Sequence, residues 1–84
     1  MTNREIIKEI AIREGIVTAE QAKMMEEKGE DIPLHTVSGW RQKNLYLREE
    51  EQGKGIEARL WLKKDGENRF YKQKAYLYTV NQVE

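Results

Sequence analysis

Apolar residues in the first half of the chain recur at helical spacing, and those near its C-terminus alternate. Ile6, Ile7, Ile10 and Ala11 lie on one face of a 3.6-residue repeat. Thr2-Asn3-Arg4-Glu5 precedes them with the spacing of a capping box, Thr2 as N-cap and Glu5 reaching back. Glu9 and Arg13 form a favourably oriented i,i+4 pair, and Gly15 supplies a stop. The spacing predicts a first helix at about 3–14. Thr18-Ala19-Glu20-Gln21 is a second capping box. Ala22 and Met25, with Met24 beside them, make the apolar stripe of a second helix at about 19–28, ended by Gly29. Its other face, with Glu20, Glu26 and Glu27, reads as solvated.

Glu30 to Leu34 holds the only proline and reads as a loop. Thr36 can cap a short third helix over Val37 to Lys43, with Val37, Gly39 and Trp40 inward and Asn44 suited to its end. Tyr46 and Leu47 read as a short strand, and Arg48 to Gly55 (REEEQGKG) as an exposed loop. A hairpin follows. Ile56, Ala58, Leu60 and Leu62 share one face of its first strand, and Tyr71, Ala75 and Leu77 share that face on the second. Asp65-Gly66, within Lys64 to Asn68, is the turn signal between them.

Helices first and strands last predict an α+β fold, with about three helices covering the apolar face of a small antiparallel sheet. The chain of 84 residues reads as one domain: a mainly helical part at 1–47, a loop at 48–55 and the hairpin at 56–80.

Composition narrows the chemistry. The absence of cysteine excludes a disulfide framework, a zinc finger and a thiol nucleophile. No apolar run approaches the roughly 18 residues of a membrane span and no signal-peptide pattern opens the chain, so no membrane partner and a cytoplasmic location are expected. The formal net charge is zero but unevenly placed. Residues 1–52 hold 8 Lys/Arg against 11 Asp/Glu, and residues 53–84 hold 7 against 4. A neutral total disfavours tight bulk binding of duplex DNA, while the basic C-terminal part leaves room for a local patch.

That patch coincides with the polar face of the hairpin. Arg59, Trp61, Lys63, Lys72, Lys74, Tyr76 and Tyr78 alternate with the apolar positions, and Phe70 falls on the same side. Cations that track a backbone and rings that stack on bases are the two parts of a single-stranded nucleic-acid site. The pattern admits two other uses: the rings can pack against a helix or the C-terminal tail, or the face can be a dimer interface. Other features are weaker. His35, the only histidine, has no partner at metal-ligand spacing. Glu49-Glu50-Glu51 sits in a glycine-flanked loop and reads as solvated, and no Walker-type glycine loop is present. Thr18 to Lys43 can be tested as a helix-turn-helix, but Gly29 to Leu34 inserts six residues where a turn of about 3–4 is needed. No catalytic residue, cofactor or metal is expected.

Three segments carry a resemblance. HTVSGW at 35–40, GKGIEARLWL at 53–62 and FYKQKAYLYTVNQVE at 70–84 resemble the N-terminal domain of ArdC-type antirestriction proteins. They are still more similar to small stand-alone relatives of that domain on plasmids, conjugative elements and phages. Thr36, Trp40, Gly53, Lys54, Trp61, Phe70, Ala75, Tyr78, Gln82 and Val83 fit the order of the family's motifs, and MTNREII resembles the starts of the small relatives. The resemblance implies a non-catalytic α+β domain of a mobile element that binds single-stranded DNA, without the zinc-peptidase-like domain that follows in the full-length family. The family's compact lysine-glycine-glutamate-lysine turn is here stretched and carries Glu49, Glu50 and Glu51. That departure fits an alternative partner, a host defence protein such as a restriction or CRISPR nuclease. A homodimeric interaction module is the second alternative.

Overall fold

The computed structural model describes residues 1–62, the backbone of Lys63, and residues 69–84, so the expected Lys64–Asn68 turn lies outside the described residues. Helices α1 (Asn3–Arg13) and α2 (Ala19–Lys28) form where their caps place them. Thr2 Oγ1 accepts from the Glu5 N–H at 3.2 Å, and Thr18 Oγ1 accepts from the Gln21 N–H at 3.0 Å. Each satisfies a donor that the first helical turn leaves free. Gly29 ends α2 at φ 69°, a conformation that glycine adopts without strain. Asn44, at φ 62°, closes the turn after helix α3 (Val37–Arg41).

The sheet has three antiparallel strands, β1 (Leu34–His35), β2 (Ile56–Lys63) and β3 (Phe70–Thr79), in the order β1-β3-β2. β1 was expected to be loop. Pro33 stands immediately before this two-residue edge strand, a position where the missing N–H breaks no ladder bond. Leu34 then pairs with Thr79, and His35 with Tyr78. The expected Tyr46–Leu47 strand finds its partner at the C-terminus instead of in the sheet. Leu47 bridges Val83, while Tyr46 and Glu84 exchange two backbone bonds of 2.9 and 2.7 Å. The loop at 48–55 contains a 3-10 turn, Glu49–Glu51.

Alternation along β3 creates two cores. Leu77 belongs to the first, with Ile10, Ala11, Val17, Ala22, Leu34, Ala58 and Leu60. α1 lies over β2 here, and α2 leans on α1. Tyr78 faces the other way and belongs to the second, with Trp40 and Val83, flanked by Val37, Leu45 and Leu47. The expectation of three helices on one face is therefore corrected: α3 packs on the opposite side from α1. The Trp40 indole N–H donates to the Tyr78 carbonyl at 2.8 Å inside this cluster. Leaving such a buried donor unpaired would cost about 1–3 kcal/mol. Gly55 lies against the same ring, since a Cβ there would sit 2.8 Å from Tyr78 Cζ and 2.8 Å from Tyr76 Cβ. The apolar face also ends sooner than its pattern suggested. Leu62 and Tyr71, a cross-strand pair, are 39% and 41% exposed, because they lie at the end of the ribbon far from β1.

His35 sits at the edge of the second core, its ring meeting Trp40 edge-on at 4.7 Å and 86°. Burial lowers its pKa below the ordinary 6.5, nearby Lys43 adds to the effect, and Asp31 opposes it. The unfolded chain then binds more protons than the folded one as pH falls through about 6.5, so stability is lost in that direction. Urea denaturation from about pH 7.5 to 5.5 should show this loss in the wild type and a shallower one in His35→Gln. Equal slopes in the two proteins would contradict the assignment.

Candidate nucleic-acid interface

The β2–β3 ribbon places side chains in rows across its outer face. Glu57 stands opposite Tyr76, Arg59 opposite Lys74, Trp61 opposite Lys72, and Lys63 opposite Phe70. Strand alternation puts Glu57, Arg59, Trp61, Phe70, Lys72, Lys74 and Tyr76 on the side away from α1. Lys72 Nζ lies 5.2 Å from the centroid of the Trp61 ring, a cation–π contact. Lys74 Nζ lies 3.2 Å from Glu57 Oε1. Trp61 is 36% exposed, Tyr76 48% and Phe70 63%.

Trp61 is held from behind by Asn3. The Asn3 side-chain amide donates to the Trp61 carbonyl at 2.8 Å, and its Oδ1 accepts from the Trp61 N–H at 2.6 Å. The amide acts as a short substitute strand, fixing the backbone beneath the ring to the start of α1. Nothing in the sequence marks Asn3 for this role, because the pairing depends on the crossing of α1 over β2.

Arg59, Trp61, Lys72, Lys74 and Tyr76 thus come together on one open surface, as their alternation suggested. Tyr78 does not. It is 7% exposed, covered by Trp40 and Val83, and its ring is a core group rather than a stacking platform. The reason is that α3 and the C-terminal residues occupy the outer face at this end of β3. The side chain of Lys63 lies outside the described residues. Phe70 and Glu57 complete the surface. Phe70 extends the run of rings, and Glu57 reduces the positive charge.

Elsewhere, no group of three or more His, Asp or Glu is placed to hold a metal ion among the described residues. No described helix is long and apolar enough to cross a membrane. α2 and α3 are separated by β1, so they do not form a helix-turn-helix. Comparison with protein-family models, curated proteins and solved structures gives no match.

The two tryptophans occupy opposite environments, Trp40 at 4% exposure and Trp61 at 36%. Acrylamide should quench Trp61 strongly and Trp40 weakly. Trp61→Phe should leave a blue-shifted, protected emission, and Trp40→Phe a red-shifted, accessible one. Equal accessibility in the two variants would contradict the placement of Trp61.

Proposed function

We propose that this protein binds single-stranded DNA, without catalysis, through the outer face of the β2–β3 ribbon. The observation that carries the reading is the sharing of one uncovered sheet face by two separated rings, Trp61 and Tyr76, and the cations Arg59, Lys72 and Lys74. The resemblance to the ArdC-type N-terminal domain supports the same reading and suggests an antirestriction-like accessory role on a mobile element.

Trp61 and Tyr76 lie on neighbouring strands, four residue steps apart along the ribbon, or about 13 Å at strand rise. Stacked nucleotides repeat at about 3.4 Å, so the two rings take bases that are not neighbours. Arg59 and Lys74 stand between them, where they meet the intervening phosphates. Phe70 lies two residue steps beyond Trp61 along the ribbon and offers a further apolar surface.

Tryptophan fluorescence titrated with an oligothymidylate should show quenching at low salt that weakens at high salt. Measured by the anisotropy of a labelled oligothymidylate, Trp61→Ala should weaken binding by about ten- to a hundredfold, the range expected for one stacked base. Arg59→Ala should reduce the slope of log K against log salt by about 0.7, the value for one phosphate contact on a single strand. Tight binding unchanged in Trp61→Ala would contradict the stacking role. No binding in either salt condition would sink the nucleic-acid reading and favour a host defence protein as the partner.

A further inference from the structure

The edge of β2 that faces away from β3 carries a second surface, with a logic of its own. In an antiparallel ribbon the backbone N–H and C=O of alternate residues point to opposite sides. Trp61 gives both of its groups to Asn3, so Trp61 faces outward. The two-residue period then turns the groups of Arg59 and Glu57 outward as well. Among the described residues nothing bonds to them. An open groove of about 570 Å³ runs beside this edge, with Ile6, Glu9, Ile10 and Arg13 of α1 on one wall and Glu57, Ala58 and Arg59 on the other.

We propose that this edge pairs with the same edge of a second copy of the chain, antiparallel about a twofold axis at Ala58, joining two three-stranded sheets into one. Charge selects both the occupant and the register. With Ala58 opposite Ala58 of the second copy, Glu57 stands opposite Arg59 of the second copy, and the symmetry repeats the pair. Residues 57 and 59 are the ones with outward backbone groups, so the two oppositely charged pairs are also the hydrogen-bonded pairs. The neighbouring allowed registers are centred on 57 or 59. The first sets Glu57 against itself and the second sets Arg59 against itself, and like charges directly opposite are destabilising. The second also needs the outward groups of Trp61, which Asn3 already occupies.

Charges on an edge strand usually discourage pairing. Here they are of opposite sign and two residues apart, which makes the edge complementary to itself. Glu57 keeps its contact with Lys74 across the ribbon, whereas Arg59 has no ion pair among the described residues. Because the pairing uses the edge rather than the outer face, it leaves Trp61 and Tyr76 uncovered. Arg59 serves both readings, but self-association is measured without nucleic acid and stacking is tested at Trp61, so either can fail alone.

Sedimentation equilibrium of the full chain without nucleic acid tests it. An interface of this limited size should be weak, with dimer appearing at roughly 0.1–1 mM. E57R and R59E should each weaken self-association by about tenfold or more, because both pairs become like-charged. An equimolar mixture of E57R and R59E should associate again, since the heterodimer restores both opposite-charge pairs. The double swap E57R/R59E should self-associate like the wild type, which guards against a single variant that merely folds poorly. A wild type monomeric at roughly 1 mM would overturn the proposal. So would a dimer insensitive to the single reversals, or a mixture that associates no more than either variant alone.

Discussion

Two consecutive residues of β3 hold the molecule together by facing opposite ways. Leu77 points toward α1 and is fully buried, while Tyr78 points toward α3 and is nearly so. Only a central strand covered on both faces can bury both, and β3 is central because β1 and β2 flank it. The second core follows from this. Trp40 bonds the Tyr78 carbonyl, Gly55 gives the ring room, and the C-terminal residues pair with Tyr46 and Arg48 to close it. Gln82 adds a link, since its side chain accepts from the Thr79 N–H and donates to the Lys54 carbonyl. The same geometry leaves the outer face of the ribbon bare from Tyr76 back to Phe70, and the candidate site lies on that face.

On that bare side, magnitudes decide which contacts yield. An exposed cation–π contact is worth about 0.5–1 kcal/mol, whereas a base stacked on an aromatic ring is worth about 1–3 kcal/mol. Under the proposed function, a base arriving at Trp61 would displace Lys72 from the ring, and the freed ammonium would become available to a phosphate. The exposed Lys74–Glu57 pair contributes about 0–1 kcal/mol and presents a similarly low barrier. Asn3 is different. Its two bonds hold the Trp61 backbone, so the ring would keep its place while the cations gave way to a ligand.

Features governed by neighbours in sequence were legible. Both capping boxes, the stop at Gly29, the helical turn after Thr36 and the alternation of the hairpin are local, and their residues suffice to specify them. Features governed by distant partners were not. The Leu34–His35 strand is two residues beside a proline and exists only because β3 offers an edge. Tyr78 carries the same alternation signal as Tyr76, and nothing in that signal shows that α3 returns to cover one ring and not the other. Asn3 reads as an ordinary residue of a first helical turn, and the crossing of α1 over β2 gives it its task. Arg59, Trp61, Lys72, Lys74 and Tyr76 were identifiable together because strand periodicity alone places them on one face.

The most direct check on this division of faces is the pair of indole N–H resonances in a 15N-labelled sample titrated with a short single-stranded oligonucleotide. The account predicts that the Trp61 indole signal and the amides of Arg59, Lys72 and Tyr76 move with added oligonucleotide. The Trp40 indole, bonded to the Tyr78 carbonyl in the closed core, stays in place. A shift at Trp40 with none at Trp61, or no shift at either, would contradict the claim that the bare face of the ribbon is the binding surface.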